Sequence, residues 1–126
     1  MKFQPDTFAG RNAITRLDAG ALWVNAMRHE GAVVVPWSGE PRAWPVAGFE
    51  SLDAGHFEAL LALRPELVIF GSGARHRFVA PALYRALIQA RIGLEAMDTA
   101  AACRTFNVLA SEGRLVVAAL LPQTPA

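Results

Sequence analysis

The sequence has few of the residues from which disulfides, metal clusters and nucleic-acid surfaces are built. Cys103 is the one cysteine among 126 residues, which excludes an intrachain disulfide and a cysteine-based metal cluster and fits a reducing compartment. The 12 basic residues are nearly balanced by 11 acidic ones, so the net charge is only +1. Because a nucleic-acid surface requires a clustered excess of lysine and arginine, we expect no nucleic-acid partner.

Long hydrophobic runs and targeting segments are also missing. No apolar run approaches the roughly 20 residues of a membrane-spanning helix, so we expect no membrane insertion. The N-terminal residues Met-Lys-Phe-Gln-Pro-Asp form neither a signal-peptide core nor an arginine-rich transit peptide, which favours a cytoplasmic protein. Hydrophobic residues make up 53% of the chain and charged residues 18%, as expected for one globular domain over residues 1–126, with a frayed tail at 122–126.

The hydrophobic pattern predicts an α/β fold. Residues 14–17 and 21–25 flank a turn that ends in glycine, and a β-branched run follows at 32–35. Helices and strands then alternate: the predicted helices cover 53–64, 81–92 and 99–112, and the predicted strands cover 67–70, 94–97 and 115–121. Alternation of this kind favours right-handed crossovers and a largely parallel sheet covered by helices, which the N-terminal strands either extend or cover as a small second layer.

Residues 36–50 form a long irregular connection that carries two tryptophans, Trp37 and Trp44. Aromatic side chains in such a segment often tie it to an edge of the core. The alternative is a partner-binding patch formed by the same two side chains. Both interpretations are compatible with the sequence.

A glycine-rich loop follows the predicted central strand. Gly71, Ser72 and Gly73 allow a sharp turn that brings backbone N–H groups close to an anion, and Arg75 makes the loop basic. Ligands of open α/β sheets bind at the carboxyl ends of strands, which is where this loop lies. The loop lacks the Gly-Lys-Ser/Thr sequence of a phosphate-binding P-loop. It also lacks the third glycine of a dinucleotide-binding motif, because His76 occupies that position. A purely structural turn is the alternative.

The start of the last predicted helix offers a second wall for the same crevice. Asp98 or Thr99 caps this helix, and Arg104 and Asn107 lie one turn apart on one of its faces. In the functional interpretation these residues and the glycine loop hold a small anionic ligand. In the structural interpretation Arg104 pairs with a carboxylate and Asn107 satisfies backbone groups of a loop.

The sequence contains no pattern that points to catalysis. His29, His56 and His76 are scattered without the spacing of metal ligands, and Ser72 has no evident histidine partner. Cys103 lies between small helical residues, as buried structural cysteines do. We therefore predict no catalytic residues, no metal and no cofactor, and we leave open whether the chain is an enzyme.

Several segments together resemble a known family. They are Phe-Gly-Ser-Gly at 70–73, Gly-Leu-Glu-Ala-Met-Asp-Thr at 93–99, Ala-Ala-Cys-Arg-Thr-Phe-Asn-Val-Leu at 101–109 and Glu-Gly-Arg at 112–114. The pattern resembles that of a small domain-of-unknown-function family that includes mitochondrial respiratory complex I assembly factor 3, and the helix motif with Glu-Gly-Arg is its most specific part.

The resemblance implies a single α/β domain of three layers, with a central mixed, mostly parallel sheet, helices on it and an N-terminal β meander alongside. It also implies a non-catalytic role through protein contacts, the partner being a respiratory-complex subunit or another assembly factor. Because no mitochondrial targeting segment is evident, we expect a bacterial member of the family. The residues themselves also allow a different function. The chain would then be a module that binds a small anionic ligand, or an unassigned enzyme, and would use the crevice between the Gly71–Gly73 loop and the helix start at Asp98–Arg104.

Overall fold

An antiparallel meander opens the fold. The computed structural model describes residues 1–3 and 10–124. Strands β1 (Ile14–Leu17), β2 (Ala21–Val24) and β3 (Met27–Glu30) pair in the order β1-β2-β3. The first two strands agree with the prediction. The third was not predicted, because three of its four residues are exposed and it has no apolar alternation to mark it.

The main sheet has five strands. Its members are β4 (Val33–Pro36), β5 (Arg42–Ala43), β6 (Leu67–Gly71), β7 (Gly93–Met97) and β8 (Val116–Leu120). They lie in the order β5-β4-β8-β6-β7. Strand β6 pairs in parallel with β7 and β8, whereas β4 pairs antiparallel with β8 and β5. The sheet is therefore mixed and mostly parallel, as predicted.

Three helices cross between or beside these strands. They are α1 (Ala54–Glu58), α2 (Arg85–Gln89) and α3 (Thr99–Ser111). The first predicted helix is shorter than expected: after Glu58 the chain tightens into a 3-10 helix over Ala59–Leu63, and Arg64 adopts a left-handed φ of 51°. Pro65 accounts for this end, because a residue before proline is disfavoured in the α conformation.

The core lies on both faces of the main sheet. On one face the meander and α3 pack together over side chains such as Ile69 and Ala118. On the other face α1, α2 and the connection before α1 pack over side chains such as Val68 and Phe70. Adjacent residues of one strand thus serve opposite faces, because side chains alternate along a strand. The result is the predicted three-layer α/β arrangement.

Candidate functional site

A cleft opens at the carboxyl ends of β6 and β8, the edge of the sheet where ligands of α/β folds bind. Its volume is about 310 Å³. Three segments form its walls: residues 47–49 from the irregular connection, residues 72–75 with Arg77 from the loop after β6, and residues 121, 122 and 124 after β8. Residues 125–126 of the predicted frayed tail lie outside the described part of the chain.

Ser72 organises the loop after β6. Its backbone N–H donates to the Met97 carbonyl at 2.9 Å, and its hydroxyl oxygen lies 2.7 Å from the Arg75 carbonyl oxygen. The same hydroxyl accepts a hydrogen bond from the Arg77 N–H at 3.0 Å. Because backbone groups occupy the hydroxyl, Ser72 holds the loop in shape and is not arranged as a nucleophile.

Thr99 closes the crevice that the sequence predicted between the loop and α3. Its hydroxyl accepts a hydrogen bond from the Gly73 N–H at 2.8 Å and donates one to the Leu121 carbonyl at 2.7 Å. Its own N–H donates to the Gly73 carbonyl at 2.9 Å. The contact is so close that a Cβ on Gly71 would come within 3.1 Å of the Thr99 Cα, so a side chain at this position would have to displace α3 by a few tenths of an ångström.

The other residues predicted on α3 serve the fold or lie away from the cleft. Asp98 caps the helix by accepting a hydrogen bond from the Ala101 N–H at 2.9 Å. Asn107 is buried, and its amide accepts from the Ile14 N–H at 2.8 Å and donates to the Ile14 carbonyl at 2.9 Å. It therefore clamps α3 to strand β1, and both groups of its amide are occupied within the protein.

Arg104 is exposed on the surface of α3, and its Nη1 lies 4.0 Å from the Met1 sulfur. It neither lines the cleft nor pairs with a carboxylate of the described residues. Of the eight residues predicted to bind a ligand, the structure brings Ser72, Gly73 and Arg75 to the cleft, whereas Gly71, Asp98, Thr99, Arg104 and Asn107 do not line it. The cleft therefore shares the wall formed by the glycine loop with the predicted crevice, and its other walls come from residues 47–49 and 121–124 and not from the start of α3.

The two tryptophans differ in their surroundings. Trp44 is only 3% exposed, and its ring meets Phe57 and Phe70 edge to face at centroid distances of 5.7 and 6.1 Å. Its indole N–H donates to the His56 carbonyl at 3.1 Å. Trp37 is half-buried and packs against both parts of the core. The prediction of a partner patch made of both side chains is therefore corrected: Trp44 is a core residue.

Sequence reasoning missed Phe78, which is the most exposed large apolar side chain within residues 1–3 and 10–124. Phe78 is 82% exposed, and its ring lies 4.4 Å from the His76 ring, centroid to centroid. It belongs to the segment of residues 74–78, Ala-Arg-His-Arg-Phe, which we call the basic loop. A single phenylalanine in a loop carries no periodic signal, so its exposure could be found only in the structure.

The two arginines of the basic loop have different environments. Arg77 forms an ion pair with Glu50, and its guanidinium carbon lies 3.9 Å from the centroid of the Phe49 ring. Arg75 is exposed and forms no ion pair with any residue that the structure describes. The basic loop thus contains one arginine in an ion pair, Arg77, and one arginine without a carboxylate partner, Arg75.

The remaining candidate groups offer little chemistry. Burial raises the pKa of the Cys103 thiol to about 12, so the thiol is protonated and unreactive at neutral pH. Residues 1–3 and 10–124 contain no cluster of three or more His, Cys, Asp or Glu side chains that could hold a metal ion. Over the same residues, no helix has both the length and the apolar character needed to cross a membrane.

Comparison with known proteins places this fold among several relatives. A family model described as "Protein of unknown function (DUF498/DUF598)" matches residues 14–121. NADH dehydrogenase [ubiquinone] 1 alpha subcomplex assembly factor 3 of Bos taurus is 38% identical over 63% of this chain and 44% of its own length. The protein of the same name from Xenopus tropicalis is 32% identical over 93% of this chain and 72% of its own length. The chain thus spans less than half of the bovine relative.

Bacterial proteins match over nearly their full length. An uncharacterized protein of Rhodobacter capsulatus is 35% identical over 91% of this chain and 88% of its own. The crystal structure of a Bordetella parapertussis protein superposes with a TM-score of 0.84 at 37% identity, over 90% of this chain and 97% of that one. The solution structure of a Bordetella pertussis protein described as an Mth938-like domain also superposes with a TM-score of 0.84. It is 30% identical over 100% of this chain and 95% of that one.

Proposed function

This chain belongs to the DUF498/DUF598 family of proteins of unknown function, and we propose that it is a non-catalytic protein that binds a partner during assembly of respiratory complex I. The eukaryotic relatives are named as assembly factors of this complex. A partner of the proposed kind is a complex subunit or a second assembly factor. We further propose that the chain meets this partner in the cytoplasm.

The observation that carries the proposal is the way the polar side chains at the strand ends are used. Ser72, Thr99 and Asn107 have the hydrogen-bonding groups from which a small-molecule site would be built, yet each is bonded to backbone within the protein. Ser72 is bonded to backbone groups and not to a histidine. What the surface offers instead is an aromatic side chain and an arginine without a carboxylate partner, which suit contact with another protein.

The test is capture of partners from the native host. A tagged chromosomal copy, expressed at its natural level, is purified beside a tag-only strain, and the co-purifying proteins are identified by mass spectrometry. We expect a complex I subunit or assembly factor to be enriched. Deletion of the gene is expected to lower the NADH–quinone oxidoreductase activity of the membranes and to leave succinate oxidation unchanged. Normal levels of assembled complex I in the deletion strain, with no partner captured, would refute the proposal.

A second candidate function is binding of a small anion in the cleft. Arg75 favours it, because this side chain lies at the cleft and has no carboxylate partner among the described residues. Titration of ¹⁵N-labelled protein with inorganic phosphate and with citrate tests it. Saturable amide shifts at residues 72–75 that disappear in an Arg75→Ala variant would support this function, and the absence of such shifts would exclude those two anions.

A further inference from the structure

We propose that the basic loop and the adjoining cleft form the docking surface for an acidic segment of a protein partner, with Phe78 as the apolar anchor of the contact. The inference rests on the proposed function and adds to it a location and a chemistry for the partner. It follows from three features: the charge of this part of the chain, the direction of the side chains in the loop, and the shape of the cleft beside it.

The charge of the molecule is unevenly distributed along the chain. Residues 67–94 contain four arginines and not one aspartate or glutamate, although the whole chain is nearly balanced. Within this stretch Arg77 forms an ion pair with Glu50, which directly follows the cleft-lining residues 47–49 in the chain. Arg75 has no such partner among the described residues. Arg85 and Arg91 do not line the cleft, so Arg75 is the unpaired cation among its lining residues, and it favours a carboxylate from outside the chain.

Side chains of the basic loop point alternately to two sides. Arg75 and Arg77 line the cleft, whereas His76 and Phe78 do not line it and pack against each other with their rings tilted by 53°. The loop thus forms a ridge with cations on one flank and aromatic rings on the other, so that a partner lying across it meets both kinds of group.

The ridge is held in place before any partner arrives. Ser72 bonds to backbone groups of Arg75 and Arg77 at 2.7 and 3.0 Å, and the Arg77 guanidinium rests on the Phe49 ring. A surface fixed in this way loses little conformational entropy on binding. Aromatic and arginine side chains are also those that most often dominate the binding energy of protein contacts.

The shape of the cleft favours a protein segment over a lipid surface. The cleft is concave, with a volume of about 310 Å³ and apolar walls from Phe49, Leu121 and Pro122, so it can receive a side chain. A bilayer surface is flat and would leave it unfilled. A basic loop with an exposed phenylalanine can nevertheless touch membranes, and the experiment includes that possibility.

The experiment compares partner capture by four variants of the tagged chromosomal copy, each first shown to be folded by its ¹⁵N spectrum. Phe78→Ala and Arg75→Glu test the docking surface. Met27→Ala is the control for the first, because Met27 is 67% exposed but belongs to the meander. Arg64→Glu is the control for the second, because Arg64 is exposed and precedes β6, so it lies at the opposite edge of the sheet.

We expect Phe78→Ala and Arg75→Glu each to weaken the purified partner's binding by about tenfold or more, the loss typical of a central contact residue. The controls are expected to bind as the wild type does, and binding is expected to weaken as the salt concentration rises. A synthetic peptide of the partner's most acidic exposed segment should compete with the wild-type protein.

Three results would overturn the inference. If wild-type protein captures a complex I partner and both loop variants capture it equally well, the proposed function stands and the docking surface is wrong. If wild-type protein captures no partner, both proposals fail together. If partner capture is unchanged but the loop variants lose binding to vesicles of phosphatidylglycerol and phosphatidylethanolamine, the loop is a membrane contact and not a protein-docking surface.

Discussion

Replacing Thr99 with valine is expected to destabilise the protein far more than the loss of one hydroxyl group implies. The two side chains have nearly the same volume, so the change removes hydrogen bonds without creating a cavity. The Gly73 N–H and the Leu121 carbonyl both lose the partner that they have at 2.8 and 2.7 Å. Thr99 is fully buried, so the valine methyl also shields these groups from water.

The expected loss of stability follows from the free energy that is lost when a buried polar group has no hydrogen-bond partner. Each such backbone group costs about 1–3 kcal/mol, so two of them lower the free energy of unfolding by about 2–4 kcal/mol after some local relaxation. Domains of this size have a total free energy of unfolding of about 5–15 kcal/mol, so the substitution is expected to remove a large fraction of the protein's stability. In urea the unfolding midpoint would fall by about 1–2 M for a typical slope of about 2 kcal/mol per M.

The control is Thr105→Val, six residues along the same helix. The Thr105 hydroxyl is half-buried, and the nearest partner is the Met97 sulfur at 3.3 Å, a weak acceptor. Its replacement is expected to change the free energy of unfolding by no more than about 0.5 kcal/mol. Amide exchange of Gly73 should accelerate only in the Thr99 variant. If the two variants proved equally stable, Thr99 would not be the link between the two strand ends, and a role at the protein surface would have to be considered again.

Three further predictions concern α3. Asn107→Leu leaves the Ile14 N–H and carbonyl without partners, so we expect a loss of about 2–4 kcal/mol in unfolding free energy and faster amide exchange confined to the meander; uniform exchange would argue against the clamp. Because burial raises the pKa of Cys103 to about 12, we expect its thiol to resist 5,5′-dithiobis(2-nitrobenzoate) in the native state at pH 8 and to react after unfolding. The thiol ionises at a lower pH in the unfolded state than in the folded state. The stability that the buried thiol contributes is therefore complete below about pH 9 and is lost as the pH rises towards about 12. Denaturation of the wild type and of a Cys103→Ala variant across that pH range would check this. Labelling of the native thiol would contradict the burial on which both statements depend.

The fold was predictable where one segment carried its own signal. Strand β8 is a continuous apolar run, and α3 begins at a good capping residue, so both could be read from local sequence. The site was less predictable because it depends on contacts between distant segments. Thr99 bonds to Leu121, and Asn107 bonds to Ile14, 93 positions away. No periodicity or spacing reveals such partners, and the same residues in an open crevice would have suited a ligand equally well.

The segments that carry the family resemblance do mostly structural work. Gly71 allows the close approach of α3, Thr99 joins the ends of two strands, and Asn107 holds the meander. Arg114, in the last of these segments, bonds to Glu66 at 2.7 Å. A shared pattern of this kind accounts for a shared fold, and it does not by itself identify a shared binding surface.

Arg104 is the exception among the arginines of these segments, because its side chain is exposed and forms no ion pair within the described residues. It therefore offers a direct comparison with the basic loop. If the family resemblance reflects a common interface on α3, Arg104→Ala should reduce partner capture while Phe78→Ala leaves it intact. If the resemblance reflects the fold alone, the opposite pattern is expected. We expect the latter, because the hydrogen bonds of Gly73, Thr99 and Asn107 already explain their presence without any partner.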